Sequence, residues 1–302
     1  MSTVEVAPAT DLEGRGLTAA VTVLATVVAV VSGLTGALMA AVSLSGHVFG
    51  AWASPEPLSP GLIGAAMLGV APGLLAVGRA RVWEEVRTLV LPTAVVLLGL
   101  LTVSLLNARQ LQVVRGGSLF LVMFSLGWVA VLGVLGLLAL GCLARQFLEP
   151  AHPSAHPSAH PSARPPAARS VPLPGWSKPF MAVLGSGWFG IGAGLLAVPG
   201  FWAALVPWHV DRPDAQALGV WGIALGVGVL GALAEDDLTR LRPALIALPG
   251  IAVAVAVELG VRASAVHWAC GPALSLVTLV GGLLVAGLTG QWLLSRHEAP
   301  QA

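Results

Sequence analysis

Charge is what this chain of 302 residues has least of: Asp, Glu, Lys and Arg make up 10% of it, against about a quarter in a soluble domain. With 15 basic and 14 acidic residues the formal net charge is +1, and no Lys/Arg cluster tracks an aromatic platform. Nucleic acid is thereby excluded as a partner, since binding it needs a basic surface. Lys178 is the single lysine, and no GxxxxGK[ST] loop exists to cradle a nucleotide phosphate. Cysteine is limited to Cys142 and Cys270, with no CxxC redox pair. The topology derived below places those two at opposite membrane faces, too far apart for a disulfide, so both are expected as free thiols.

In place of charge the chain has 56% hydrophobic residues and a mean hydropathy of +0.88. These gather into eight apolar runs, 17–44, 60–77, 89–106, 118–143, 179–206, 215–234, 244–257 and 269–294, none of which contains Asp, Glu, Lys or Arg. A bilayer core of ~30 Å needs roughly 20 apolar helical residues, so each run reads as a membrane span. The run from 244 reaches that length only by continuing past Glu258 to Val261. The preceding stretch 1–16 carries Glu5, Asp11 and Glu13 against Arg15, without the basic start of a signal peptide. It is expected as a short disordered tail before a retained first helix.

The loops set the orientation, because cytoplasmic loops keep Lys and Arg. With the N-terminus inside, the inner segments hold Arg15, Arg79, Arg81, Arg87, Arg145, Arg164, Arg169, Lys178, Arg240, Arg242 and Arg296. The outer loops hold only Arg109, Arg115, Arg212 and Arg262. Both termini are therefore expected in the cytoplasm, in a bacterial plasma membrane. Trp52, Trp202, Trp208 and Trp268 near the outer ends, with Trp83, Trp176 and Trp292 near the inner ends, form the expected aromatic belts.

Composition changes abruptly at 149–178, where three Ala-His-Pro-Ser copies precede Arg164-Pro165-Pro166. Proline at this density denies the helix its backbone donors, so a cytoplasmic linker is expected. His152, His156 and His160 have four-residue spacing in a proline-rich coil, which preorganises no tetrahedral metal site. The linker divides the chain into a first half, 17–148, and a second half, 179–296, followed by a tail, 297–302.

Sliding the chain by 153 residues pairs Pro60 with Pro213, Gly69 with Gly222, Gly73 with Gly226 and Arg87 with Arg240. Each half then has a Gly-x-x-x-Gly on its second span, Gly69/Gly73 and Gly222/Gly226, where a neighbouring helix can approach closely. Each also has an acid three residues before an arginine in a cytoplasmic turn, Glu84/Arg87 and Asp237/Arg240, a spacing that puts both charges on one helical face. With an even number of spans per half, such a duplication would be parallel, about an axis along the membrane normal. The fold expected is all-α: an integral membrane bundle of eight transmembrane helices in two similar four-helix halves.

The second half resembles the four-span DoxX-like membrane module through Leu218-Gly219-Val220-Trp221-Gly222-Ile223-Ala224-Leu225-Gly226 and the charged turn 235–242. The whole chain is similar in style to polytopic proteins of GC-rich bacteria, in which Arg, Ala, Gly and Val dominate. The resemblance covers about half the chain and implies an architecture. DoxX-like modules are associated with quinone-linked oxidation, but no residue of this sequence carries that chemistry over.

Ionisable groups inside a membrane are costly and mark function, and Glu258 is the one acid within a span. Arg262 follows four residues on, in the order that favours a helical ion pair, so the two are expected to pair near the outer interface or to form a proton or cation site. His47, His209 and His267 occupy three outer loops alongside Glu56, Asp211 and Asp214, without local ligand spacing; metal binding needs convergence in space. Haem is disfavoured because no His lies within a span. Gly185-Ser186-Gly187 has glycine-flanked serine geometry but no base at membrane depth, and no span contains Asp.

The sequence therefore predicts a multi-pass membrane protein whose partners are the lipid bilayer and a further membrane protein, with no cofactor, no metal and no catalytic residues. Its leading functional expectation is a non-catalytic accessory or structural component. The alternative is a secondary transporter or carrier of a small apolar or lipid-like molecule, favoured by the duplication and by Pro72, Pro92, Pro199, Pro249 and Pro272. A cavity at mid-depth between the halves, lined by Thr93, Ser125, Ser275 or Glu258, is the feature that would favour the carrier.

Overall fold

A computed structural model describes residues 15–148 and 170–298. Within them eight helices are long and apolar enough to cross a membrane, and no β-strand forms. They are α1 (Ala19–Leu44), α2 (Leu58–Ala76), α3 (Arg87–Leu106), α4 (Leu119–Leu148), α5 (Ser177–Ala197), α6 (Arg212–Glu235), α7 (Arg242–Val261) and α8 (Gly271–Glu298). The chain is a multi-pass membrane protein. The tail at 1–14, the histidines of the linker and the last four residues lie outside the described residues.

Two helix boundaries depart from the apolar runs. The run 179–206 is not one helix: α5 stops at Ala197, Val198 takes φ −130 and ψ 61, and a new short helix, Pro199–Trp202, begins on the proline. Proline has no N–H to continue a helix and disfavours helical geometry in the residue before it. The α7 helix does pass Glu258 and ends at Val261. Pro72, Pro92 and Pro249 lie inside α2, α3 and α7, each removing one backbone donor from its ladder.

The helices alternate between two faces. The face near residue 15 and the turns 80–86 and 236–241 is called proximal; the face of the loops 45–57, 107–118, 198–211 and 262–270 is distal. Helix α2 packs on α1 and α7, α6 packs on α5 and α3, and α4 and α8 lie outside α3 and α7. Buried positions cover nearly all of α2, whereas α1, α4, α5 and α8 turn large apolar side chains outward, among them Leu34, Leu137, Val183 and Leu274. In a bilayer that outward surface faces a solvent as apolar as itself.

Close contacts recur at separations of 155 or 156 residues. Trp83 N donates to Arg15 O at 2.8 Å, and Leu238 N to Val171 O at 2.8 Å. Gln112 N donates to Ala51 O at 3.0 Å, and His267 N to Pro207 O at 2.7 Å. Gly36 lies against Gly64 and Leu68, and Gly192 against Gly219 and Ile223. Gly73 lies against Pro243 and Ala247, and Gly228 against Thr88 and Pro92. Corresponding residues are 156 apart up to Trp52 and Trp208, and 155 apart from Ser59 and Asp214 onward. The last glycine pair is crosswise: α2 of the first half meets α7, and α6 of the second half meets α3.

The residues paired at a shift of 153 do not share neighbours. Gly69 and Gly73 face α7, whereas Gly222 and Gly226 face α5, where added Cβ atoms would meet Gly192 Cα at 2.8 Å and Phe189 N at 2.6 Å. Glu84 and Arg87 do not share a helix: Glu84 lies in a 3-10 turn, Trp83–Glu85, that ends before α3 begins, and it accepts from Arg15 N at 3.2 Å, while Arg87 reaches Glu235. Asp237 and Arg240 do meet, at 3.5 Å, in the turn before α7.

Candidate functional site

On the proximal face the charges converge on the end of α6. Glu235, its side chain 1% exposed, is held by Arg87 from the first half and by Arg240 at 3.0 Å from the second. Asp237 caps the following turn, accepting from Thr239 N at 3.0 Å, Thr239 Oγ1 at 2.7 Å and Val171 N at 3.2 Å. The Lys178 ammonium, hydrogen-bonded to Asp236 at 2.6 Å, holds that exposed carboxyl below its usual range. Glu235→Ala would leave two guanidinium groups facing each other. Both arginines are partly hydrated, so the expected loss is about 1–3 kcal/mol in detergent unfolding, shrinking in high salt. A variant as stable as the parent at low salt would contradict the clamp.

The distal face holds a layer of buried polar side chains inside the helix ends. Glu258 on α7 is 1% exposed and meets the Ser43 hydroxyl at the end of α1. Ser43 Oγ also lies 2.8 Å from Pro57 O. A hydroxyl has one proton, so both contacts are complete together only when Glu258 carries a proton of its own. Arg262 does not pair with Glu258 along the helix; its Nε donates at 2.8 Å to Ser43 O, a carbonyl near the end of α1 that also accepts from Gly46 N at 2.8 Å. Gly46, at φ 96, gives the guanidinium room, since a Cβ there would sit 3.1 Å from it. A fixed carbonyl at bonding distance gives the guanidinium a definite, charge-assisted partner.

The corresponding place in the other half carries amides instead. Asn107 Nδ2 donates to Gln216 Oε1 at 2.8 Å and to Val103 O at 2.9 Å, and Gln216 Nε2 donates to Leu196 O at 3.2 Å. Two indoles tie the halves crosswise: Trp52 Nε1 donates to Asp214 Oδ1 at 2.6 Å, and Trp208 Nε1 to Ser59 Oγ at 2.9 Å. Ser54 Oγ also donates to Asp214 Oδ1, at 2.9 Å. Asp214 is therefore no loop residue; it lies in the first turn of α6 with 0% exposure, and its Oδ2 has no partner. Asp211 caps that turn, accepting from Asp214 N at 3.1 Å, and burial pushes its carboxyl above the usual range.

His47, His209 and His267 are exposed on separate loops. Among the described residues no three His, Cys, Asp or Glu side chains group as metal ligands. Ser186 is exposed on α5, with Gly185 against Leu230 of α6, and Cys142 and Cys270 are free thiols.

Apolar cavities lie between these polar ends, one of about 190 Å³ among α1, α2, α3 and α4, and two to which both halves contribute. The larger of these two, about 420 Å³, is in the distal half of the bundle and partly open, lined by α5, α6, α7, α8 and the 202–208 loop, with Leu62 and Ala66 of α2 on its inner side. Its wall is aliphatic and indole, with Ser275 at the rim. The smaller, about 120 Å³, lies between the halves on the proximal side and is lined by Val70, Thr93, Pro92 and Ala247 among others. Trp221 lines both.

The sequence reading missed this constellation. Seven of the ten tryptophans fit interfacial belts, but Trp128, Trp188 and Trp221 lie inside spans. Trp128 finds Ser104 Oγ at 3.2 Å, whereas the buried Nε1 atoms of Trp188 and Trp221 have no acceptor. Indole far from the interface was the available signal. Comparison with family models, curated proteins and solved structures found no match to this chain.

Proposed function

We propose that the protein is a carrier of a small apolar or lipid-like molecule, built from two parallel copies of a four-helix unit in a bacterial plasma membrane. The observation that carries the reading is the pair of apolar chambers, one distal and one across the halves, that share Trp221 as a common wall. Pockets of roughly 300–1,000 Å³ with mainly apolar walls are where proteins hold small ligands, and the larger chamber falls in that range. An accessory role would suit an interior filled by side chains; open chambers at two depths suit a cargo better. The crosswise contacts between the halves support duplication, and carriers built on repeats place their sites at the repeat interface. The excess of Arg and Lys in the proximal loops supports cytoplasmic termini.

Filling the larger chamber tests the reading. Ala252 lines it from α7, and Ala252→Phe puts an aromatic ring into the space. With radiolabelled dodecane as probe, the parent protein in nanodiscs should show saturable binding above partition into protein-free discs. The variant should lose at least tenfold in affinity while keeping its unfolding temperature within a few degrees. A parent that binds no more than empty discs, or a stable variant that binds as well as the parent, would overturn the carrier.

A further inference from the structure

The cavity of about 190 Å³ in the first half occupies the place that the larger chamber occupies in the second. At a shift of 156 residues its α1 wall residues Ser32 and Thr35 correspond to Trp188 and Ile191, which line the larger chamber from α5. At 155, Met67, Leu97, Phe124 and Trp128 correspond to Gly222, Ala252, Leu279 and Leu283, which line it from α6, α7 and α8. Each pair sits on corresponding helices, so the two spaces are one site present twice.

What differs is the filling. Phe124 and Trp128 belong to an aromatic cluster: their ring centroids are 6.0 Å apart, Phe49 lies 4.4 Å from Phe124, and Trp52 lies 6.2 Å from Trp128. Phe49 in turn corresponds to Leu205, another residue of the larger chamber's wall. The cluster therefore fills space that stays open in the second half, and leaves a cavity less than half the size. That remainder has the size of one ring, since an apolar cavity of roughly 150 Å³ holds a benzene molecule. Its wall offers the rings of Phe124 and Trp128 and the thioether of Met67, surfaces that favour a further ring over an alkane of equal volume. Among the described residues no charged side chain lines it, so an ionic ligand is the wrong class. The wall also reaches lipid along α4, where Val131 is 39% exposed and a Cβ on Gly127 would meet nothing within 4 Å.

From these observations we infer that the first half carries a second ligand site, which takes a one-ring aromatic hydrocarbon from the lipid side of α4, while longer chains are confined to the larger chamber. The side chains that set this difference in capacity are Leu97 and Phe124, where the second half has Ala252 and Leu279. The inference goes beyond the carrier reading: it uses the correspondence of the halves, and the small site stands whether or not the larger chamber holds a cargo.

The experiment measures binding of radiolabelled toluene, methylcyclohexane and dodecane to the full chain in nanodiscs, corrected for partition into protein-free discs. The parent should bind toluene saturably and prefer it to methylcyclohexane by about threefold or more, the value of one aromatic contact. Thr35 lines only the smaller site, so Thr35→Phe should weaken toluene binding by about tenfold or more and dodecane binding by less than about twofold. Ala252→Phe should do the reverse. Phe124→Leu combined with Leu97→Ala writes the second half's residues into the first and should add one bound dodecane per chain; it also keeps the test open should Thr35→Phe not fold. Toluene binding that survives in folded Thr35→Phe, or that is lost in Ala252→Phe, puts the ring in the larger chamber and overturns the inference while the carrier reading stands. Equal affinity for toluene and methylcyclohexane overturns the aromatic class, and no added dodecane in the double variant overturns the equivalence of the two sites. Absence of dodecane binding in the parent, with the toluene pattern intact, removes the carrier reading and leaves the small site in place.

Discussion

Gly36→Ala and Gly192→Ala should each destabilise the protein by about 1–3 kcal/mol, whereas Gly127→Ala and Gly133→Ala should be neutral or stabilising by up to about 1 kcal/mol. The first two positions are where helices touch backbone to backbone. A Cβ on Gly36 would lie 2.6 Å from Gly64 O and Leu68 N, and one on Gly192 would lie 2.6 Å from Gly219 O and 2.7 Å from Gly222 C. Neither contact is with a flexible side-chain end, so α1 must move off α2, and α5 off α6. Lipid gives no hydrophobic drive to hold helices together, and dispersion across a tight interface is what separation forfeits. Gly127 and Gly133 on α4 have nothing within 4 Å of a built Cβ, and there alanine only removes the entropic cost of glycine in a helix. Unfolding in mixed detergent, read by helical circular dichroism, measures all four. The two tight glycines should also lose similar amounts, because their neighbours correspond in the two halves. Four alanine variants of equal stability would refute the packing; unequal losses at Gly36 and Gly192 would refute the correspondence.

Hydropathy made the spans legible because a helix in lipid must be apolar over its whole length. The continuation of α7 through Glu258 was readable from length alone, since a span ending at Val257 would be too short for the bilayer. The break at Pro199 was harder: every residue of 179–206 suits a membrane, and only the fixed φ of one proline turns the chain. Registration of the halves failed for a different reason. In a chain with 37 glycines, identity at a fixed shift rewards chance coincidences of small residues. Contacts are more demanding, because Gly36 and Gly192 must both find a neighbour's backbone, and Trp52 and Trp208 must both cross to the first turn of the opposite second helix. Like contacts fall 156 residues apart up to Trp52 and Trp208 and 155 apart from Ser59 and Asp214 onward, a change that no ungapped shift can follow.

The polar layer was only half legible. Glu258 and Arg262 stood out as charges in and beside a span, but their partner Ser43 lies 215 residues from Glu258 in sequence, and serine at a helix end is unremarkable by itself. Asp214 looked like a loop acid because it sits beside Arg212 and Pro213; its burial depends on Trp52, from the other half, closing over it. The chambers left no pattern at all, since a cavity is an absence of atoms between side chains that are each suited to lipid. Only the unpartnered indoles beside it left a trace, as tryptophans too deep for the membrane interface.

Glu258→Leu is expected to cost about 3 kcal/mol or more, and Glu258→Gln about 1 kcal/mol or less. Glu258, Ser43, Pro57 and Arg262 together join α1 and the start of α2 to α7, so this group ties the two halves on the distal face. Leucine leaves the Ser43 hydroxyl without its side-chain partner in a buried site. Glutamine keeps a donor in the place of a protonated carboxyl, so Ser43 can accept from it while donating to Pro57 O. Gly61→Ala should act in the same direction as Glu258→Leu, because a Cβ at Gly61 would strike both Ser43 Oγ and the Glu258 carboxyl. The amide joint in the corresponding place gives the control. Asn107→Leu breaks a neutral pair with Gln216 and should cost less than Glu258→Leu, about 1–3 kcal/mol, with no dependence on salt. In unfolding temperature the expected order, from lowest to highest, is Glu258→Leu, Asn107→Leu and Glu258→Gln. Equal melting of Glu258→Gln and Glu258→Leu would mean that the hydrogen bond to Ser43 carries nothing, and that the halves are held by their other contacts.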